Sequence, residues 1–122
     1  MKMKLIGALL LIVGVVVGRA WGAQETAKKG YIIGQIDVSN AQQYAEYAKG
    51  SPDIIAKHGG RFIARAGRTV TLEGPAARSR VVIIEYPSFE RAQAWFNSPE
   101  YQKAKKQREG AANAQFIVVE GQ

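Results

Sequence analysis

Glu85 is the residue whose position most strongly suggests chemistry. It follows the run Val-Val-Ile-Ile at residues 81–84 and precedes Tyr86, so a carboxylate interrupts a β-branched, apolar strand. A charge in such a strand must be paired, protonated or exposed to a wet cavity, because burying it alone is too costly. Glu85 is therefore a candidate catalytic acid/base or ligand anchor. The alternative, which we favour, makes it one member of an ion pair.

Other kinds of active site find little support in the chain. His58 is the only histidine, cysteine is absent, and no serine-histidine-acid motif, phosphate loop or nucleotide-binding glycine fingerprint occurs. His58 stands just before Gly59, where a cation favours the helix dipole, so we expect it to cap a helix. We therefore expect no protein-built metal site and no cofactor.

The first residues have the layout of a secretory signal peptide. Lys2 and Lys4 precede an apolar run over residues 5–18, and the small residues Ala20 and Gly22 satisfy the small-x-small cleavage rule. We predict a signal peptide over residues 1–22, cleaved after Gly22, and a periplasmic or secreted protein. An uncleaved membrane anchor is the alternative, but it normally needs about 20 apolar residues.

Length and charge fit one exported domain. The chain has 122 residues, of which 47% are apolar, as expected for one compact core. Loss of the leader leaves 14 basic and 10 acidic residues, so the formal net charge falls from +7 to +4. Without cysteine there are no disulfides, so stability must come from the core, supplemented by oligomerisation.

Hydrophobic periodicity divides the remaining chain into strands and helices. Residues 23–30 are a predicted flexible tether, and residues 31–121 a single domain. Residues 31–38 alternate as a strand, and Ser39 or Asn40 can cap the helix that follows. Pro52 predicts a kink or two short helices there. Residues 61–66 and 69–72 predict one long strand bent at Gly67.

The second half contains two further strands with helices between them. Residues 80–86 return as a strand, and Ser88 caps a helix. Ser98 and Pro99 begin another helix, and residues 115–120 form the last strand. The order strand, helix, strand, strand, helix, strand predicts an α+β, ferredoxin-like split βαβ sandwich with an antiparallel four-stranded sheet. One face of such a sheet is uncovered, which predicts a homodimer.

Strand alternation assigns side chains to the two faces of the sheet. The predicted helix-facing side chains are those of Ile32, Ile36, Phe62, Ala64, Val82 and Ile84. The predicted open-face side chains are those of Tyr31, Ile33, Gln35, Asp37, Arg61, Ile63, Arg65, Val81, Ile83 and Glu85. On this basis Arg65 or Arg68 is expected to reach Glu85, and Tyr31 or Gln35 to assist in ligand binding.

Four motifs in order carry a resemblance to a known family. They are Gly-Gly-Arg-Phe-Ile-Ala-Arg at residues 59–65, Leu-Glu-Gly at 72–74, Arg-Val-Val-Ile-Ile-Glu-Tyr-Pro-Ser at 80–88 and Ser-Pro-Glu-Tyr-Gln at 98–102. Together they resemble the bacterial family called domain of unknown function 1330, over residues 31–121. The resemblance implies membership of the dimeric α/β-barrel superfamily, in which two ferredoxin-like subunits join their sheets around a cleft.

That superfamily includes cofactor-free monooxygenases, haem-degrading proteins and chlorite-dismutase-like enzymes, although fold alone does not fix function. Trp95, Phe96 and Asn97 are similar to the aromatic and asparagine residues of the monooxygenases, but their helical spacing favours a core role. Many members of the family carry histidine where this chain has Asn97, which argues against proton transfer there. Asn97 is kept as a candidate ligand-binding residue.

Three functions follow from these observations. The leading one is an exported homodimer that binds a small ligand in the cleft between its sheets. The second is a cofactor-free monooxygenase- or isomerase-like enzyme using Glu85, and the third is an interaction or stress-related scaffold. No nucleic acid is expected, because the third strand lacks the stacking aromatics of an RNA-binding domain. Membrane contact is expected only through an uncleaved leader or weak surface charge. The basic cluster of Lys103, Lys105, Lys106 and Arg108 is expected to be a solvated face at the end of the last helix.

Overall fold

A computed structural model describes residues 27–122 as one antiparallel sheet with helices on one face. The predicted signal peptide and the first half of the predicted tether, residues 23–26, lie outside the described residues. The strands are β1 (Gly30–Val38), β2 (Arg61–Arg65), β3 (Arg80–Tyr86) and β4 (Ala112–Glu120). The helices are α1 (Ala41–Lys57), α2 (Phe89–Asn97) and α3 (Pro99–Lys105), followed by a 3-10 turn, Lys106–Arg108.

The strand order is β2-β3-β1-β4, and every neighbouring pair is antiparallel. This arrangement confirms the predicted ferredoxin-like α+β fold. None of the helices in the described part of the chain is both long and apolar enough to cross a membrane.

Side-chain caps set the helix ends where the sequence predicts them. The Asn40 side chain accepts a hydrogen bond from the backbone N–H of Gln43 at 3.0 Å, and Ser88 accepts one from that of Arg91 at 3.1 Å. His58 Nδ1 donates to the Ile54 carbonyl at 2.9 Å, which confirms its capping role. These bonds satisfy backbone groups that a helix end leaves without partners.

Helix α1 runs through Pro52 as one continuous helix, so the two short helices allowed by the sequence do not form. Proline has no N–H and cannot donate to the carbonyl four residues earlier, which belongs to Ala48. Arg65 Nη2 donates to the Ala48 oxygen at 3.4 Å. A side chain from β2 therefore supplies the donor that Pro52 lacks.

Strand β2 is shorter and more irregular than predicted. The pairing with β3 shifts register between Phe62 and Ala64, so Ile63 is an extra residue in a bulge. The shift reverses the alternation after it: Ala64 lies opposite Ile83 and Arg65 opposite Val82. The predicted faces of Ala64 and Arg65 are therefore wrong.

The predicted continuation of this strand over residues 69–72 is also wrong. Ala66 adopts a left-handed backbone with φ of 53°, which ends the pleat, and residues 66–79 contain no helix or strand. At the other end of the domain, β4 begins at Ala112, three residues before its predicted start.

The core lies between the helices and the sheet and is rich in aromatic rings. Trp95 is fully buried, with its ring centre 4.2 Å from that of Tyr101 and 5.6 Å from that of Tyr86. Gly30 is required beside this core, because a Cβ there would lie 2.4 Å from the Ser88 carbonyl oxygen. The favoured interpretation of Trp95 as a core residue agrees with this packing.

Arg108 departs from its predicted place on a solvated basic face. It is only 7% exposed, and its guanidinium lies 5.2 Å from the ring centres of both Tyr47 and Phe116. Arg108 Nη2 donates to the Tyr101 hydroxyl at 3.5 Å, and that hydroxyl is 2.7 Å from the Tyr47 hydroxyl. Burial raises the pKa of Tyr47 above its ordinary value, with the neighbouring Tyr101 as a smaller cause.

Candidate ligand site on the open sheet face

The candidate site is a row of three polar side chains across the open face of the sheet. Glu85 on β3 is paired in register with Arg61 on β2 and with Tyr31 on β1. Arg61 Nε donates to Glu85 Oε1 at 3.1 Å, and the Tyr31 hydroxyl donates to Oε2 at 3.3 Å. In the single chain, Glu85 is therefore one member of an ion pair, as the favoured interpretation predicts.

The two members of this ion pair differ strongly in exposure. The Glu85 side chain is 19% exposed and the Arg61 side chain 73% exposed. A carboxylate oxygen has two lone-pair sites, so each Glu85 oxygen keeps acceptor capacity after these bonds. The site can therefore accept a further hydrogen bond from a donor on a bound molecule.

Apolar side chains lie beside the polar row on this face. Ile33 is paired with Ile83 on one side and Ile117 on the other, and Val119 lies opposite Tyr31. Ile117 and Val119 are 50% and 45% exposed. The carboxylate of Glu85 thus projects beside an apolar surface that the described residues leave uncovered.

Gln35 lies on the same face but contacts a different part of the chain. It is four residues beyond Tyr31 along β1, and its Oε1 accepts a hydrogen bond from the Arg78 backbone N–H at 3.2 Å. Asp37 Oδ1 similarly accepts one from the Ser79 N–H at 2.9 Å. These two side chains hold the segment that enters β3. The ligand role of Gln35 stays a prediction.

The prediction that Arg65 or Arg68 reaches Glu85 is wrong. The bulge at Ile63 turns Arg65 to the helix-facing side, and Arg68 lies in the irregular segment after β2. The actual partner of Glu85 is Arg61. Strand alternation predicts the correct face for Arg61, but this pairing was not predicted. The antiparallel strand order could have predicted the pairing of Arg61 with Glu85, because the first residue of β2 lies beside the end of β3.

Asn97 lies at a different place in the molecule. It ends α2 and, with Gln93, Phe96 and Phe116, lines an open cavity of about 210 Å³ beside β4. Phe116 belongs to the helix-facing side of the sheet, whereas Glu85 and Tyr31 lie on the open side. The predicted ligand-binding residues therefore do not form one site. Only Tyr31 and Glu85 are brought together.

Metal binding has no geometric support in this part of the chain. Within residues 27–122, no three histidine, cysteine, aspartate or glutamate side chains gather closely enough to hold an ion. The groups that the row of Arg61, Glu85 and Tyr31 offers are one carboxylate, one phenol hydroxyl and one guanidinium. They can bind by hydrogen bonding and charge, and the carboxylate can accept a proton.

Comparison with solved structures identifies similar folds. A protein of unknown function from Rhodopseudomonas palustris has a TM-score of 0.62 at 20% identity, covering 85% of this chain and 92% of its own. SnoaB, a cofactor-independent oxygenase from Streptomyces nogalater, has a TM-score of 0.57 at 12% identity, covering 79% and 95%. At these identities the likeness shows the fold alone.

Comparison of sequences identifies the family. No protein of curated function matches the chain significantly. The family model described as domain of unknown function (DUF1330) matches residues 29–122, which is nearly all of the described chain. This chain therefore belongs to the DUF1330 family.

Proposed function

We propose that this protein is an exported homodimer that binds a small, mostly apolar molecule between two facing sheets, with Glu85 as its polar anchor. One observation carries the proposal: the Glu85 carboxylate is held by Arg61 and Tyr31 at one end of an uncovered apolar face. Ligand sites commonly combine an apolar lining with a few positioned polar groups.

The surroundings of Glu85 indicate the chemistry of the ligand. Glu85 Oε1 accepts from Arg61 at 3.1 Å, and an ionised carboxylate accepts hydrogen bonds but donates none. A matching ligand carries a hydroxyl or amine that donates to Glu85. Its apolar body would lie on Ile33, Ile83 and Val119. Tyr31 fixes the carboxylate by its own donated bond and limits the rotation of Glu85.

A second copy of this chain is the proposed cover for the sheet face. Four strands about 4.8 Å apart, with about seven residues each at about 3.3 Å per residue, give a face of roughly 19 by 23 Å. Two such faces bury roughly 900 Å² of projected area, which is below the roughly 1,200–2,000 Å² of a standard interface. Val70 and Leu72, which are 79% and 91% exposed, offer additional apolar surface for the partner.

Export is the third part of the proposal and is supported by sequence alone. The basic residues, the short apolar run and the small-x-small pattern of residues 1–22 are typical of a cleaved signal peptide. An exported protein would meet its ligand in the periplasm or outside the cell. Fractionation of the producing cells, with N-terminal sequencing of the recovered protein, tests both the location and the cleavage after Gly22.

The ligand proposal is tested on protein purified from its own host. Mass spectrometry of the denatured protein should release a small molecule at about one copy per subunit. Glu85→Gln keeps the size of the side chain but removes its charge, so it should lower ligand occupancy while leaving the dimer intact. Arg91→Gln, on the exposed surface of α2, is the control and should retain the ligand. A dimer that never carries a small molecule would instead support the scaffold.

A cofactor-free oxygenase or isomerase is the second candidate function. The observation that favours it is a carboxylate base beside an apolar surface, in a fold that SnoaB shares. Glu85 would remove a proton from a carbon or oxygen acid bound on that surface. Turnover of quinol-like substrates, followed by oxygen uptake and lost in Glu85→Gln, is the expected result. Uptake unchanged by substitution of Trp95 and Asn97 would exclude those two residues from the reaction.

A further inference from the structure

A pair of arginines, Arg65 and Arg80, lies on the opposite side of the sheet from Glu85. Arg65 and Arg80 line one small cavity between α1 and the helix-facing side of the sheet, with a volume of about 20 Å³. Tyr44, Ser51 and Phe62 also line it. The bulge at residue 63 brings Arg65 to this side, so the sequence alternation did not reveal the pair.

Neither arginine has a carboxylate partner among the described residues. The four ion pairs within residues 27–122 use Lys49, Lys57, Arg61 and Arg78. Arg65 donates one hydrogen bond, to the Ala48 carbonyl, and Arg80 Nε is buried without an acceptor from this part of the protein. A guanidinium has five N–H donors, so most of the donors of both side chains are uncommitted.

Aromatic rings orient both guanidinium groups. Arg65 Cζ lies 4.4 Å from the centre of the Phe62 ring, and Arg80 Cζ lies 5.5 Å from that of Tyr44. A guanidinium stacked on a ring keeps its N–H groups in the plane, free to bind an oxyanion at the edge. Both guanidinium groups therefore have N–H donors available beside the same cavity.

We propose that Arg65 and Arg80 bind a small oxyanion, a carboxylate or a phosphate, at the mouth of this cavity. The volume of about 20 Å³ accommodates one water-sized atom. One oxygen of the anion therefore enters the cavity, while the others remain at the surface and accept from the outer nitrogens of the two guanidinium groups. Charge-assisted bonds of this kind are about twice as strong as neutral ones. The site is independent of the proposed ligand site at Glu85.

The Nε–H resonance of Arg80 in ¹⁵N-labelled protein is the direct probe of this site. The purified protein is titrated separately with inorganic phosphate and with acetate at constant ionic strength, using chloride as the balancing anion. At least one of the two should shift this resonance in a saturable manner. Whichever anion saturates at the lower concentration identifies the class of ligand.

Matched substitutions separate a specific site from general attraction to positive charge. Arg65→Gln and Arg80→Gln should each weaken binding of the favoured anion at least tenfold, and Arg80→Lys should weaken it less than Arg80→Gln. Arg91→Gln removes the same charge from α2 and should change binding less than twofold. If neither anion shifts the Arg80 resonance, or if Arg91→Gln weakens binding as much as Arg80→Gln, the proposal is overturned. If a variant fails to fold, the titration of the unsubstituted protein still tests the proposal, because absence of a shift of the Arg80 resonance overturns it.

Discussion

A double-mutant cycle on Arg61 and Glu85 distinguishes a covered sheet face from an exposed one. The perturbations are Arg61→Gln, Glu85→Gln and the double variant, which remove each charge while keeping a polar side chain. In the isolated chain the Arg61 side chain is 73% exposed, so solvent screens the pair. Exposed pairs contribute about 0.2–1 kcal/mol to the free energy of unfolding. A second copy over this face would desolvate both groups, and breaking such a buried pair costs about 3–5 kcal/mol.

The protein contains a matched control pair. Lys57 and Glu100 are also 3.1 Å apart, but their side chains are 67% and 50% exposed and lie away from the sheet. Urea unfolding of both sets of variants, in 0.1 M and 1 M salt, gives the two coupling energies. Because the Debye length falls to about 3 Å at 1 M salt, the control coupling should nearly vanish.

The expected coupling between Arg61 and Glu85 is above about 1.5 kcal/mol per subunit and persists in 1 M salt, since a covered pair is screened much less. The midpoint of unfolding should also rise with protein concentration, because the folded dimer dissociates as it unfolds. A coupling below about 1 kcal/mol that vanishes in salt like that of the control would refute the reasoning.

Four further predictions follow from the fold. Gly30→Ala should destabilise the protein by more than about 2 kcal/mol in urea unfolding, because the new Cβ meets the backbone of Ser88, which cannot move aside like a side chain. Ala66→Gly should stabilise it by about 0.5–1 kcal/mol by the same assay, since glycine adopts a positive φ without strain; a loss of stability would contradict the left-handed backbone. Arg65→Gln should cost about 1 kcal/mol in the wild type but less in the Pro52→Ala background, where residue 52 can again donate to Ala48; equal costs would show that Arg65 does not serve that carbonyl. Burial raises the pKa of Tyr47 and Tyr86 above the ordinary value of about 10, so these two tyrosines ionise at lower pH in the unfolded chain than in the folded one. The free energy of unfolding should therefore fall as pH rises past about 10. Absorbance at about 295 nm should show fewer than the five tyrosines titrating before the protein unfolds.

Local signals predicted much of the fold. The caps at Asn40, Ser88 and Ser98 depend only on residues three positions away, so the sequence contains all the information they need. The alternation along β1 and β3 likewise follows from a period of two and correctly placed Glu85 on the open face. Assignment of the elements to a split βαβ fold then needed only their order.

The errors arose where a distant partner decides the conformation. No residue near Ile63 indicates the bulge in the sequence. The bulge is seen only in the pairing of β2 with β3, and it moves Arg65 to the opposite face of the sheet from the one predicted. The apolar alternation of residues 69–72 looked like a strand, but a strand also needs a hydrogen-bonded neighbour, and Ala66 ends the pairing first. Arg108 was assigned to a basic face from its neighbours in sequence, although the rings that bury it come from α1 and β4.

Solvent accessibility of the isoleucine methyl groups tests the central claim most directly, because it requires no substitution on the sheet face. Ile117 and Ile63 are 50% and 48% exposed in the isolated chain, whereas Ile36 is buried in the core at 1%. A soluble paramagnetic agent added to ¹³C-methyl-labelled protein measures this accessibility for each methyl. If a second copy covers the open face, the Ile117 methyl will be protected nearly as well as that of Ile36. Relaxation of Ile117 at the rate of a half-exposed methyl would contradict the account.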